Sequence, residues 1–583
     1  MKDLMILWHS LLGRNYDPAN TNSDNRDNLG DQDNPRISSF QRKSSVMVNR
    51  FLNITEPLHA DGNQKRTRTI FMLMTLGLLS ITFGWLTLVI HPYDVLFNWK
   101  LQFGEGGEIF EIWRKPEVNL YLKVYLFNVT NRDEFLQGRE SKLRFQEIGP
   151  YVYREFLEHA NVVFNGNGTL TTTPFHPLQY VPEMSNGTEE DLVIMPNIAL
   201  LSIANVMKDA SYLSRWGLNT LIWQTDSHPL VEMTAREFMF GYKSTLVTLG
   251  NNVMPSWIKF DKLGLIDRMY DFDGNFETVY TGETDVRLSG LVEKYNGNVD
   301  LPHWTGKCAN VNGSSDGSKF PSFIQPNDTI LFFRRSLCRS ARMVRNGEKT
   351  IKGLHSYQYG FIENELDNGA VNPENKCFCR QGVCLKPGFI DVTDCYYGFP
   401  IALSYPHFYK TDPSFLEAVE GLEPKEELHK SYCYIEPTSG LPTDLAFRFQ
   451  INMMLQNIKH TTRVEKFSNF VLPLLWFEIG MYEIPDALNI RFLFYLVICP
   501  IMQDVIIYLF FLSGMVLLVW SIVKILTYQK KRSSVNWMEK EMSRRRQRAQ
   551  NDKQTDQISR EIDTYSSLLI SDDINLTNNS VII

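Results

Sequence analysis

Several common catalytic signatures are missing from this sequence. It holds no HExxH, P-loop or GxGxxG pattern, so the usual zinc-protease and nucleotide-binding chemistries have no foothold. His176, His407 and His429 stand near aromatics or carboxylates, yet none is paired with a nucleophile, and they read as structural. The chain is not read as an enzyme, and no cofactor is called for. Charge is also sparse, with 21% charged residues and a net charge of −7. That balance suits a folded, membrane-associated protein and gives no sign of nucleic-acid binding. No CxxC pair occurs and no second ligand pair stands at zinc-finger spacing, which argues against a metal site. A βαβ rhythm is absent as well, so the expected sheet is mainly antiparallel.

Long apolar runs are few, and two of them set the topology. Thr69 to Ile90 gives 22 residues without a charge, and Val505 to Val523 gives 19. As helices each crosses the ~30 Å hydrocarbon core. Lys65, Arg66 and Arg68 precede the first; Lys524, Lys530, Lys531 and Arg532 follow the second. The positive-inside rule places both termini in the cytosol and residues 91–504 outside. The first segment reads as an uncleaved signal anchor.

Of the chain's 8 cysteines, Cys308, Cys338, Cys377, Cys379, Cys384 and Cys395 cluster in the outer portion. In an oxidising compartment they imply three disulfides, and spacing leaves all pairings open. Glycan acceptors at Asn128, Asn167, Asn186, Asn312 and Asn327 also lie outside, as the topology requires. Asn53, Asn575 and Asn578 fall in the cytosolic tails and are expected to stay bare.

The expected organisation follows the chain. Residues 1–68, rich in Asn and Asp, form a disordered cytosolic tail; 69–90 and 505–526 are the membrane helices; 527–583 is a second tail. Within 91–504, Leu120, Leu122, Val124 and Leu126 alternate as in a strand. Further strand-like runs are Tyr151–Phe156, Thr329–Phe333, His355–Phe361 and Ala446–Met453. Helical periodicity concentrates at about 197–241, interrupted at Gly217, and Thr234 to Glu237 forms a capping box. Phe492–Met502 either rests at the interface or prolongs the second span. In the last tail, Arg544, Arg545, Arg546 and Arg548 suit anionic lipid headgroups. Tyr565 with Leu568, followed by Leu569, has the form of an endocytic sorting signal.

Several motifs together carry a resemblance. They are Trp113 to Pro116, Phe127 to Asn131, Glu147 to Glu155, Met195 to Asn197, Met233 to Phe238, Asn375 to Cys379, Ser404 to Phe408, Ile435 to Pro437 and Pro473 to Trp476. With these, the chain resembles the class B scavenger receptors from about residue 70 to 525. The resemblance implies an α+β membrane protein: a large antiparallel β-barrel-like ectodomain with a helical bundle at its apex, anchored by two transmembrane helices. It implies the pairing Cys308–Cys377, Cys338–Cys395 and Cys379–Cys384. It further implies a receptor that binds lipid or lipoprotein at the apex and passes lipid down an apolar tunnel. Such a conduit removes the cost of exposing apolar surface to water, ~25 cal/mol per Å². Apical candidates are Leu201, Met207, Lys208, Leu213, Arg215, Trp216 and Gln224. The apex is electrically balanced, Lys208 and Arg215 against Asp209 and Asp226, and Gln224 stands where one member of the family, the fatty-acid translocase, places a ligand-contacting lysine. Residence at the plasma membrane with cycling through endosomes and lysosomes fits, as does a homo-oligomer. An endolysosomal receptor for a protein cargo is the alternative. A two-span ligand-gated channel is remote, because Val505–Val523 offers only Ser513, Gly514 and Ser521 as small or polar lining.

Overall fold

The computed structural model describes residues 60–246, 248, 262–396 and 398–574. The tail before residue 60 and the sequons at Asn53, Asn575 and Asn578 lie outside the described residues. Two long helices, Ala60–Ile90 and Cys499–Ile574, carry the apolar runs. Phe71, Trp85, Leu509 and Val519 are exposed on them, a greasy surface that is stable against lipid rather than water. The first helix starts at Ala60, so 60–68 is helical and not part of a disordered tail. Phe492–Met502 prolongs the second span: helix Asp486–Leu493 passes through a π stretch, Phe494–Ile498, into the long helix. Pro500 explains the π turn, since it lacks an N–H and its ring crowds the carbonyl four residues back. Ser80 Oγ donates to the Phe510 carbonyl at 2.8 Å and lies 2.8 Å from Ser513 Oγ, a polar clasp between small residues that membrane helices favour.

The barrel is built from a ladder that closes on itself. Leu120–Val129 pairs with Val471–Met481 on one side and Leu143–Glu155 on the other. Leu143–Glu155 and Glu158–Phe164 run as one kinked strand against Leu178–Tyr180 and Thr169–Phe175. The ladder continues through Glu277–Tyr280, Val292–Tyr295, Ser314–Ser315 and Ile330–Arg334. From there it passes through Arg339–Ile351, Leu354–Phe361, Tyr432–Ile435 and Pro442–Met454, back to Val471–Met481. Closure removes the exposed edges that a sheet of this size would otherwise present. Within the circuit only the pairing of Ser314–Ser315 with Ile330–Arg334 is parallel. All five runs read as strands from the sequence fall in this ladder. Rings from non-neighbouring strands meet inside it. Phe332 stacks on Phe447 at 4.4 Å, with Phe361 at 5.9 Å from Phe447.

The disulfides join Cys308–Cys377, Cys338–Cys395 and Cys379–Cys384, with Cα separations of 5.8, 6.2 and 4.5 Å. The first two close loops of 69 and 57 residues, each restricting the unfolded chain by about 4 kcal/mol on a chain-entropy estimate. Cys433 is buried and free.

A separate two-stranded ribbon, Leu192–Pro196 with Leu230–Thr234, carries the helices Ile198–Val206, Tyr212–Gln224 and Ala235–Phe240. The break falls at Met207–Ser211, where Ser211 caps the second helix, and that helix runs straight through Gly217. Thr234 and Glu237 make both capping-box bonds. The helices dock on the loop joining the last two barrel strands: Asn205 Oδ1 accepts from Gln456 N at 2.8 Å, and Asn219 Oδ1 from Thr462 N at 2.9 Å. That loop lies at the far end of Val471–Met481 from the exit toward the membrane helix. The strand's length, about 35 Å, sets the group apart as a distal apex.

Candidate functional site

The second apical helix buries Leu218 and Ile222 but leaves four large apolar residues facing outward. Tyr212, Leu213, Trp216 and Trp223 are 79%, 74%, 59% and 61% exposed, a concentration of aromatic surface that marks interaction sites. Charges there are largely paired off: Lys208 contacts Asp209, and Arg463 pairs with Asp226 at 2.8 Å while covering the Trp223 ring at 4.4 Å. Gln224 is exposed, Met207 half-buried, and Arg215 donates to the Lys208 carbonyl at 3.4 Å. Leu201 belongs to the core instead, at 0% exposed. Its helix has Ser202 and Asn205 as its polar residues and both are buried too, so the sequence pattern could not tell its inner from its outer face. Trp223 and Arg463 were missed, the latter because its loop is distant in sequence.

Three adjoining cavities lie at the other end of the barrel. The first, about 720 Å³, opens where the hairpin kinks between Glu155 and Glu158 and between Phe175 and Leu178. Ile112, Val118, Leu120, Phe156 and Leu157 give it an apolar floor, with Glu108, Arg154 and Arg491 around the opening. Arg154 lies 4.9 Å from the Phe156 ring. The second, about 50 Å³, shares Ile112, Pro116, Val118, Leu120 and Leu157 with the first and adds Leu441, Met481, Leu488 and Phe492. The third, about 20 Å³, is bounded by Phe97, Ile112, Leu441, Phe492, Tyr495 and Leu496. Ile112 borders all three. Phe97 sits on the helix Pro92–Leu101 that follows the first span, and Tyr495 on the π stretch before the second. Tyr93 OH donates to the Tyr495 carbonyl at 2.8 Å, and Lys100 Nζ to Tyr495 OH at 3.0 Å. The cavities thus step from the barrel wall toward the points where the chain enters the bilayer.

Behind the first cavity lies a buried ion network. Glu155, with its side chain 0% exposed, receives Arg334 at 3.2 Å, His176 at 2.6 Å and the Tyr270 hydroxyl at 2.6 Å. Burial works to raise its carboxyl, but Arg334 and His176 outweigh this and hold it at about 2. Burial keeps His176 below its usual range despite that partner. On the barrel's outer face His407 stacks on His429 at 4.5 Å and reaches Glu147 at 2.6 Å. Burial and His407 push His429 down to about 4. Each of the three histidines is thus committed to neighbours that hold it in place. Among the described residues, the clustered metal-ligating atoms are those of His303, Cys338 and Cys395, and both sulfurs are spent in a disulfide.

The sequons differ in access. Asn167, Asn186 and Asn327 are exposed, whereas Asn128 and Asn312 are half-buried. Asn312 Nδ2, the atom a glycan would take, donates to Tyr280 OH at 2.9 Å, and Asn128 Oδ1 accepts from Ile194 N at 2.8 Å. Glycopeptide mass spectrometry is expected to find Asn167 and Asn327 highly occupied and Asn312 sparsely so. Full occupancy of Asn312 with Asn167 bare would contradict that.

The carboxy-terminal helix runs unbroken past the span, which places Arg544 about 30 Å beyond Lys524 at 1.5 Å per residue. Charges act over ~8 Å at physiological salt. Lys524, Lys530, Lys531 and Arg532 lie nearer to the span along this helix. Tyr565 is exposed on the same helix, and the side chains of Leu568 and Leu569 lie outside the described residues.

Comparisons with known proteins match most of this chain. A model of the CD36 family matches residues 70–525. Scavenger receptor class B member 1 of Sus scrofa is 32% identical over 430 residues, covering 72% of this chain and 83% of that protein. Lysosome membrane protein 2 of Rattus norvegicus is 30% identical over 380 residues, covering 64% and 76%. Protein peste of Drosophila melanogaster is 28% identical over 386 residues, covering 65% and 69%. The match extends from the first apolar helix to the second and encloses the whole barrel, and the chain belongs to the CD36 family of class B scavenger receptors, as a membrane protein.

Proposed function

We propose that this protein is a receptor that takes lipid or lipoprotein ligands on its aromatic apex and delivers lipid through the barrel base to the membrane. One observation carries the reading: three adjoining cavities, increasingly apolar, lead from the barrel wall to the juxtamembrane helices and share Ile112. The first has the volume of a small-molecule site. The rings of Phe332, Phe361 and Phe447 fill the barrel above, so a route from the apex would require them to shift. A neutral apex suits ligands recognised by apolar contact rather than by charge. The sites of action are the plasma membrane and, through Tyr565, Leu568 and Leu569, endosomes and lysosomes, with both termini cytosolic. A second reading, an endolysosomal receptor for a protein cargo, is favoured by Leu213, Trp216 and Trp223, the kind of exposed cluster that anchors protein partners. The full chain in nanodiscs is expected to take up a fluorescent fatty acid or sterol saturably at micromolar concentration. Uptake no greater than that of empty nanodiscs would defeat the lipid reading and leave the cargo reading.

A further inference from the structure

We propose that Glu277 is a buried proton-binding site whose occupancy sets how firmly the wall of the base cavities is held. The inference rests on the geometry of that wall and stands whether or not lipid passes through it. Glu277 lies opposite Thr172 and Tyr295 in the ladder and is 6% exposed. Its Oε2 has no hydrogen-bond partner, nor does the Tyr295 hydroxyl. The charged groups facing it are Asp316, His159 and Arg334.

Their protonation states follow from their contacts. His159 Nδ1 lies 2.9 Å from the Trp113 carbonyl, and Nε2 lies 2.8 Å from Asp316 Oδ2. The Trp113 carbonyl can only accept, so Nδ1 carries a proton; Asp316, which burial works to raise but His159 and Ser318 hold below its ordinary range, accepts from Nε2, and the ring is an imidazolium. Asp316 also accepts from Ser318 N and Oγ at 2.9 and 2.6 Å, which keeps it ionised. Arg334 is spent on Glu155. The positive His159 and Arg334 therefore balance the negative Asp316 and Glu155. With a proton on Glu277 the buried cluster is neutral. Without it, one uncompensated negative charge sits in the core, which is costly.

That charge reaches the cavity by two contacts. His159 stacks on Trp113 at 3.8 Å, and Trp113 belongs to the helix Glu108–Arg114 that supplies Glu108, Glu111 and Ile112 to the first cavity. Glu155 lines the same cavity. An ionised Glu277 competes for His159 and Arg334, weakening their hold on Trp113 and Glu155. Burial, reinforced by Asp316, pushes Glu277 up from 4.5 to about 7. A carboxyl raised in the folded state contributes stability that is full below its ordinary range and falls as pH climbs toward 7. His159, raised by Asp316 against the effect of burial, acts in the same direction. His176 and His429, both lowered, act oppositely, so the informative quantity is a difference between variants.

The test compares the full chain in nanodiscs with Glu277→Gln, which fixes the neutral form, at about pH 5 and about pH 7.5. The substitution is expected to raise the melting temperature by a few degrees at the higher pH and to leave it unchanged at the lower. Hydrogen exchange in 108–114, corrected for its intrinsic pH dependence, should be faster at the higher pH in the wild type alone. A variant destabilised equally at both pH values, or retaining the wild-type exchange difference, overturns the proposal. If the variant does not fold, infrared spectroscopy of the wild type decides. A buried carboxylic-acid band present near pH 6 and lost near pH 8 supports the site, and absence of that band overturns it.

Discussion

Replacing Arg334 with methionine is expected to destabilise the barrel by about 3–5 kcal/mol, the usual cost of leaving a buried charge without its partner. Glu155 is the charge concerned. Its depression from 4.5 to about 2 corresponds to about 3 kcal/mol of preferential stabilisation of the carboxylate. A lowered carboxyl contributes stability above its ordinary range and loses it as pH falls from about 4.5 toward 2. The Arg334→Met variant should therefore be weakest at neutral pH and approach the wild type in acid. His176 and Tyr270 still contact Glu155 in the variant, which places the loss toward the lower end of the range. Adding Glu155→Gln removes the orphaned charge and should recover part of the loss. Urea unfolding of the two variants measures this directly; a single substitution costing less than ~1 kcal/mol would show that the pair is not the clamp described here.

Some of the fold was legible because physics wrote it locally. Alternation at Leu120 to Phe127 marks a strand half-covered by its neighbours, and the Thr234–Glu237 box needs only four residues to specify a helix start. The basic flanks of the two apolar runs are equally local. What stayed hidden was non-local. Val471–Met481 is buried on nearly its whole length, so it shows no alternation, and its Pro473 reads as a breaker although it sits beside a bulge opposite Asn452. Leu201 was placed on the wrong side of a helix whose polar residues, Ser202 and Asn205, are themselves buried and so mark no solvent face. The base cavities draw on Ile112, Leu157, Leu441 and Phe492, four stretches that only ring closure brings together. Glu277 gave no signal either, since a lone glutamate in a strand-like run cannot be told from a solvated one. The π turn at Phe494–Ile498 follows from Pro500, a local cue that the sequence reading of Phe492–Met502 did not use.

Ile112→Trp carries the largest expected functional effect. The side chain faces all three cavities, and an indole there is expected to fill the second and third, which measure about 50 and 20 Å³. Overpacking of this kind costs about 1–3 kcal/mol, which a disulfide-locked barrel should survive. Lipid transfer should fall at least about tenfold, equivalent to ~1.4 kcal/mol on the barrier. Ligand capture at Leu213, Trp216 and Trp223 should be unaffected. Ile112→Ala controls for loss of packing and should transfer at the wild-type rate or faster. The decisive measurement is the rate at which full-length protein in donor vesicles delivers a labelled fatty acid or sterol into its own bilayer, for the wild type and both variants. A folded Ile112→Trp protein that is slow beside a normal Ile112→Ala protein is the result expected from a lipid path through the barrel base, and one that delivers lipid at the wild-type rate would contradict it.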